Sequence, residues 1–367
     1  MHSSKLSLLS VRIINIEISE RRDMKTLVVT RTGSLEIRET AIPKYNECQA
    51  LVKMVCCGIC NGTDAKLIHH TFKGFGEDAY PLMLGHEAVG QVVETGGRVS
   101  SYKKGDYVLL PFVSEVPDDA ELKSGWGGFS EYGVIDDAAA YPEGEAPECA
   151  YAQSVLPKSV DPVDASMIIT LREVLSSIKR FGMSQKESVA VFGCGPVGLT
   201  FIQFMKLLGI GPVIAFDVVD DKVKEALAKG ADYAFDSTQT DVGARVREIC
   251  PEGVCYVLDA VGILPIINQG MELIKDGGKI CCYGISPHLS MELDWRKAPY
   301  NWQLQFQQFP SKAEEGECTD TVLNWIAEGK VNLRDFISDY FPFENVLEAF
   351  EKLERREIKK KGIVVFR

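Results

Sequence analysis

Three side chains spread along the first half of the chain carry donor atoms that a metal ion could use: Cys60, His86 and Glu173. A thiolate, an imidazole and a carboxylate are the ligand types of a catalytic zinc, which keeps its fourth position open for water or a substrate oxygen. Zinc bound at about 2.3 Å to sulfur and about 2.0–2.1 Å to imidazole is a Lewis acid that favours the alkoxide form of a bound alcohol. An alkoxide can expel hydride to a nicotinamide held beside it. Taken singly, each residue has a plainer reading: a buried thiol, a satisfied core histidine, a solvated helix glutamate. What favours the metal is their occurrence in one chain with a nucleotide motif.

That motif lies in SVAVFGCGPVGLTFIQFMKLLGIGPVIAFD, residues 188–217. A β-branched and aromatic run leads into Gly193-Cys194-Gly195-Pro196-Val197-Gly198, an apolar helical segment follows, and a second strand ends at Asp217. Gly193 permits a tight turn, Gly195 lets the backbone approach a pyrophosphate, and Gly198 allows close helix packing. The helix N-terminus then meets the phosphates with its amides and the positive end of its dipole. Asp217 lies nineteen residues beyond Gly198, where a carboxylate can accept the ribose hydroxyls of an adenosine and repel a 2′-phosphate. The expected cofactor is therefore NAD rather than NADP.

These groups must be positioned by elements that the periodicity locates. From residue 24 to about 137, short alternating runs punctuated by Gly, Pro and Asn predict a barrel-like unit of antiparallel strands. Helical periodicity begins near Val163 and runs through Arg180, carrying Glu173. From residue 188 to about 285, five strand patterns alternate with helical ones, which predicts a parallel sheet covered by helices. Residues 285–309 read as irregular and aromatic. Two helices follow, over residues 319–328 and 343–353, and a final strand over 362–366 returns to the first unit.

At 367 residues the chain suffices for two domains with buried cores. A formal net charge of −12 argues against nucleic acid or an anionic membrane as partner. The eleven cysteines are odd in number and include two adjacent pairs, so they do not read as a disulfide framework. A reducing cytoplasm is the expected compartment. The first 23 residues lack a secretory-signal pattern and read as an extension.

In family order, GICNGTD (58–64), GHEAVG (85–90), GGFSEY (127–132) and GCGPVG (193–198) resemble the zinc-containing medium-chain dehydrogenase/reductase family, of the alcohol and sorbitol dehydrogenase type. The likeness runs from residue 24 to 367. It implies an α/β plus β fold: a GroES-like catalytic domain built from residues 24–168 and 305–367, with a Rossmann doubly wound parallel-sheet domain at 169–304 between them. Carried over by motif, Cys60, His86 and Glu173 become the zinc ligands, and Glu87 a neighbouring or exchanging one. Asp64 would orient His86, Thr63 would relay the substrate proton, and Lys222 would touch the adenosine ribose. Two departures stand out. Asn61-Gly62 widen the gap between Cys60 and Thr63, and Lys66 occupies the place where relatives often have histidine, with His69 and His70 as substitutes. Residues 110–128 hold no cysteine, so one catalytic zinc and no structural zinc is expected.

The resemblance implies interconversion of a secondary alcohol and its ketone. Glu as third ligand leans toward polyols, sugars or cyclitols. Arg296, Tyr300, Gln303 and Gln305 could bond several hydroxyls. Two rivals remain: a zinc-free quinone or enone reductase, and a non-catalytic nucleotide-binding protein. The family implies a homodimer or homotetramer acting on a small molecule.

Overall fold

A computed structural model of the chain describes residues 23–367 other than 118 and 289. The expected extension, residues 1–23, lies outside the described residues except for Asp23, which opens the first strand.

Strand Gln49–Gly58 organises the antiparallel part. It pairs with Glu87–Thr95, Tyr132–Asp136 and, near its end, Lys361–Val365 from the far end of the chain. Short strands Tyr107–Leu109 and Ser154–Val155 extend that sheet on one side, and Ile337–Pro342 extends it on the other. A second sheet joins Asp23–Val29 to Leu35–Ala41, Leu82–Met83 and Lys123–Ser124. Between them lies a core that includes Val52, Met54, Leu84, Phe129 and Val364, all at most 2% exposed.

The second sheet system is parallel throughout. Its six strands lie in the order Tyr233–Asp236, Val213–Asp217, Val189–Phe192, Val254–Asp259, Ile274–Cys282, Trp302–Phe306. Numbered along the chain this is 3-2-1-4-5-6, the doubly wound order whose direction reverses at the first strand and opens a crevice at the carboxyl ends. Val189–Phe192 and Val213–Asp217 are buried at every residue, as expected for strands covered by helices on both faces. Trp302–Phe306 departs from the expectation of irregular chain. Its alternation of large apolar residues and glutamine suits an edge strand, and it carries the sheet past residue 304, where the sequence suggested a boundary.

Helix Ser166–Phe181 ties the two systems together. It packs against strand Glu87–Thr95 on one side and helix Pro196–Leu207 on the other, and Gly182 ends it in the left-handed conformation at φ +75°. Among the described residues, no helix is long and apolar enough to cross a membrane.

Candidate active site

Cys60 and His86 reach one place because their strands are neighbours. Cys60 follows the end of Gln49–Gly58, and His86 immediately precedes Glu87–Thr95; Gly58 and Glu87 are register partners. Gly85 makes the approach to His86 possible. Its φ is +102°, and a Cβ would stand 2.6 Å from the Phe129 nitrogen.

Asp64 locks this corner. One carboxylate oxygen accepts the Cys60 N–H at 2.9 Å, while the other stands 3.5 Å from His86 Nδ1. Asp64 is fully buried. That second oxygen and Nδ1 are both buried without a well-formed hydrogen bond, so a small rotation of either ring or carboxylate completes the pair. Burial opposes a charged imidazole, but hydrogen bonding to Asp64 and Cys60, with their charges, outweighs it and holds His86 well above its ordinary pKa. Thr63 immediately precedes the short helix Asp64–Ile68, without a side-chain capping bond, and is 7% exposed.

Among the described residues, one atom each from Cys60, His86 and Glu87 form a set lying within 4.8 Å of one another. Tetrahedral zinc with these ligand types sets donor atoms about 3–4 Å apart. The donor chemistry and the spacing therefore fit the ion with little inward movement. Glu87, however, already has partners. Lys361 Nζ donates to its two oxygens at 2.8 and 2.7 Å, and Thr170 Oγ1 donates to one of them at 3.0 Å. Burial would raise the Glu87 pKa, yet Lys361, with help from His86 and Thr170, brings it below the usual range. Gly58 leaves room for it, since a Cβ there would lie 2.5 Å from a Glu87 oxygen.

Glu173 stands outside that set. Its Oε1 accepts a 2.7 Å hydrogen bond from the Tyr283 hydroxyl, and the tyrosine ring packs edge-on against Phe201 at 5.1 Å. Burial, then Glu173 and then Cys60, raise the Tyr283 pKa well above its usual value. Both Glu173 and Tyr283 are half-buried, like Cys60 and His86, whereas Glu87 is closed off at 3% exposure. Lys361, Thr170 and Tyr283 are absent from the motif reading. Only the charge of Lys361 in an apolar terminal strand hints at a buried partner.

The glycines divide by what surrounds them. A Cβ on Gly193, at φ +95°, would meet Val261 Cγ2 at 2.3 Å, and one on Gly198 would meet the Gly193 carbonyl at 1.8 Å. A Cβ on Gly195 would meet nothing within 4 Å. Packing therefore requires the first two, while the third faces open space at the start of helix Pro196–Leu207, where a phosphate could approach. Pro196 begins that helix and Val197 is half-buried beside it. Asp217 joins the loop by accepting the Cys194 N–H at 2.7 Å, and its other oxygen accepts from Val218 and Val219 at 2.8 and 3.0 Å. Burial and Asp217 push the Cys194 thiol up to about 12, against a smaller opposing pull from Lys222 in the first turn of helix Asp220–Ala228.

Other expected groups are engaged elsewhere. His69 stands 3.5 Å from Glu354 and His70 stacks on Tyr80 at 3.9 Å, while Lys66 Nζ bonds the Gly62 carbonyl at 2.8 Å. Arg296 is paired with Asp294, Gln305 bonds Lys279 and the Arg180 carbonyl, and Tyr300 is fully exposed.

Family models match two stretches, residues 46–145 as an alcohol dehydrogenase GroES-like domain and residues 196–327 as a zinc-binding dehydrogenase. The chain belongs to the zinc-containing medium-chain dehydrogenase/reductase family. This dehydrogenase/reductase is 27% identical to the D-arabitol-phosphate dehydrogenase of Enterococcus avium over 338 residues, 88% of this chain and 91% of that protein. It is 25% identical to the sorbitol dehydrogenase of Gallus gallus over 341 residues, 90% of this chain and 93% of that one. Its fold matches the alcohol dehydrogenase RspB of Escherichia coli CFT073, solved with NADH, at a TM-score of 0.77 and 23% identity, covering 94% of this chain and 100% of that one. The two-part architecture is thus the GroES-like and Rossmann pairing of this dehydrogenase/reductase family.

Proposed function

We propose that this chain interconverts a secondary alcohol of the polyol, sugar or cyclitol class and its ketone, using NAD(H) and one zinc ion held by Cys60, His86 and Glu173. The observation that carries the reading is the convergence of Cys60, His86 and Glu87 within 4.8 Å of one another, with the half-buried Glu173 bonded to Tyr283, whose hydroxyl feels the charges of both Glu173 and Cys60. Between the two available carboxylates, Glu173 is the better ligand. It is half-buried as Cys60 and His86 are and accepts from the Tyr283 hydroxyl on one oxygen, whereas Glu87 is neutralised by Lys361 and closed off. Zinc supplies a Lewis acid that acidifies the bound alcohol, and NAD supplies the hydride acceptor.

The chain's own residues do the rest. Asp64, with an oxygen 3.5 Å from His86 Nδ1, is placed to accept that N–H after a small rotation and so direct Nε2 toward the donor cluster. Thr63, one residue before Asp64, holds the hydroxyl that would take the substrate proton. The lysine–glutamate pair behind the cluster keeps a second free negative charge from competing for the cation. At the other end, Gly195 admits the pyrophosphate, and Asp217, with three of its roughly four acceptor sites taken by backbone amides, offers the remaining one to the ribose while repelling a 2′-phosphate.

The test is metal content measured together with NAD-linked oxidation of a polyol panel before and after chelation. Loss of turnover on removal of one zinc per chain, restored by zinc, is expected; full activity in verified zinc-free protein would refute the metal role. A Glu173→Ala variant that kept both zinc and turnover would move the third ligand to Glu87.

A further inference from the structure

The imidazole of His86 is the inner end of a run of aromatic rings that reaches solvent. Trp126 lies 5.3 Å from it between ring centroids, tilted by 57°. Phe75 stands 6.0 Å from Trp126, Phe72 stands 5.5 Å from Phe75, and Phe309 stands 5.6 Å from Phe72, the last two contacts edge-on. Trp126 and Phe75 are half-buried, and Phe309 is 55% exposed. Phe309 follows the sixth strand of the parallel sheet, whereas the others come from the antiparallel part, so the run joins both parts of the chain beside the donor cluster.

Trp126 is held there under strain. Its φ is +73°, a region that a bulky residue rarely adopts and that tends to persist at functional sites. Its N–H donates to Ser124 Oγ at 3.0 Å and its carbonyl accepts from the Val113 N–H at 2.8 Å. Gly127 follows at φ +69°, with no room for a Cβ against Val113. The backbone here would suit glycine at 126, yet an indole stands against the metal-binding imidazole.

We propose that Trp126, Phe75 and Phe309 form the wall on which the substrate's carbon skeleton lies, and that the substrate is a six-membered-ring alcohol with mainly equatorial hydroxyls rather than an open-chain polyol. This rests on the dehydrogenase reading above and narrows its substrate. Hydrogen-bond satisfaction separates the two substrate shapes. A ring with equatorial hydroxyls presents a face of axial C–H bonds, whose positive edge suits the negative face of an indole, while its hydroxyls project sideways. An open-chain polyol carries a hydroxyl on every carbon, so laying it on a wall of phenyl and indole rings strips water from groups that gain no partner.

The experiment uses the zinc-loaded full chain with cyclohexanol, trans-cyclohexane-1,2-diol and myo-inositol against sorbitol and D-arabitol, in NAD- and NADP-linked oxidation. Wild type should favour the ring alcohols in kcat/KM by about tenfold or more. Trp126→Ala, and separately Phe309→Ala at a solvent-exposed position, should cut the ring-alcohol values by about ten- to hundredfold, a factor at least about tenfold greater than for the open-chain polyols. A wild type that prefers open-chain polyols, or variants that lose both classes equally, would overturn the proposal. Absence of turnover with every alcohol would count against the dehydrogenase reading instead. The wall is then read by binding: ring alcohols should perturb tryptophan fluorescence saturably in wild type, with weaker half-saturation in Phe309→Ala, and no saturable ring-alcohol binding would equally overturn it.

Discussion

Replacing Lys361 by methionine should destabilise the protein severely although the residue lies in no motif. Lys361 is 6% exposed and Glu87 3%, and the ammonium stands 2.8 and 2.7 Å from the two carboxylate oxygens. At 2.7 Å the attraction is about 6 kcal/mol for an effective dielectric of about 20, set against a desolvation cost of several kcal/mol per ion. The pair itself is therefore worth little net, but breaking it is expensive. Lys361→Met leaves Glu87 charged, enclosed and supported by the Thr170 hydroxyl and the His86 side, at a cost of about 3–5 kcal/mol. The check is a double-mutant cycle by urea denaturation of the zinc-loaded protein, with Lys361→Met, Glu87→Gln and both together. The double variant should recover at least about 2 kcal/mol relative to the sum of the single losses. Additive losses, or a Lys361→Met variant within about 1 kcal/mol of wild type, would show that the two charges are not coupled as argued.

Three further outcomes follow from named contacts. Tyr283→Phe removes the hydrogen bond to Glu173 and should weaken zinc retention about 10- to 100-fold in chelator competition, with little loss of stability; unchanged zinc affinity would dissociate Glu173 from the metal. Gly195→Ala should fold normally and lose NADH affinity, whereas Gly198→Ala, driving a Cβ to 1.8 Å from the Gly193 carbonyl, should lower the melting temperature with or without cofactor. Equal stability of the two variants would contradict the division of roles in that loop. Asp137 accepts from the Ser100, Ser101 and Ala139 amides at 2.7, 2.8 and 3.0 Å and from the Ser101 hydroxyl. Burial would raise its pKa, but these hydrogen bonds lower it on balance. Its contribution is thus complete above the ordinary aspartate range near about pH 4 and vanishes as pH falls through the lower folded value. Asp137→Asn should therefore cost about 1–3 kcal/mol at pH 7, with the gap to wild type closing on acidification below about pH 4; a gap constant with pH would refute it.

Much of the scaffold was legible in the sequence because its requirements are local. Val189–Phe192 and residues 213–216 are unbroken apolar runs, and such runs suit strands buried on both faces. The helix bearing Glu173 was visible from its spacing and ends at a left-handed glycine. Trp302–Phe306 was missed because its five-residue alternation is short and sits inside an irregular aromatic stretch. Its strand character comes from pairing with Ile274–Cys282. The engagement of Gln305 and Arg296 with neighbours is likewise invisible from residue type.

The sequence by itself determined the dinucleotide loop and its following aspartate, because a tight turn, a close backbone approach and a helix start are demands on consecutive residues. It also supplied a thiolate, an imidazole and two carboxylates, of which the family motif singles out Glu173 while residue type alone does not. Only the tertiary structure showed that Glu87 has a compensating charge, by docking strand Lys361–Val365 onto the end of Gln49–Gly58 and so setting Lys361 against Glu87 across 274 residues of chain. Charge compensation in a buried site depends on distance through space, and strand pairing sets that distance without leaving a periodic trace in the sequence.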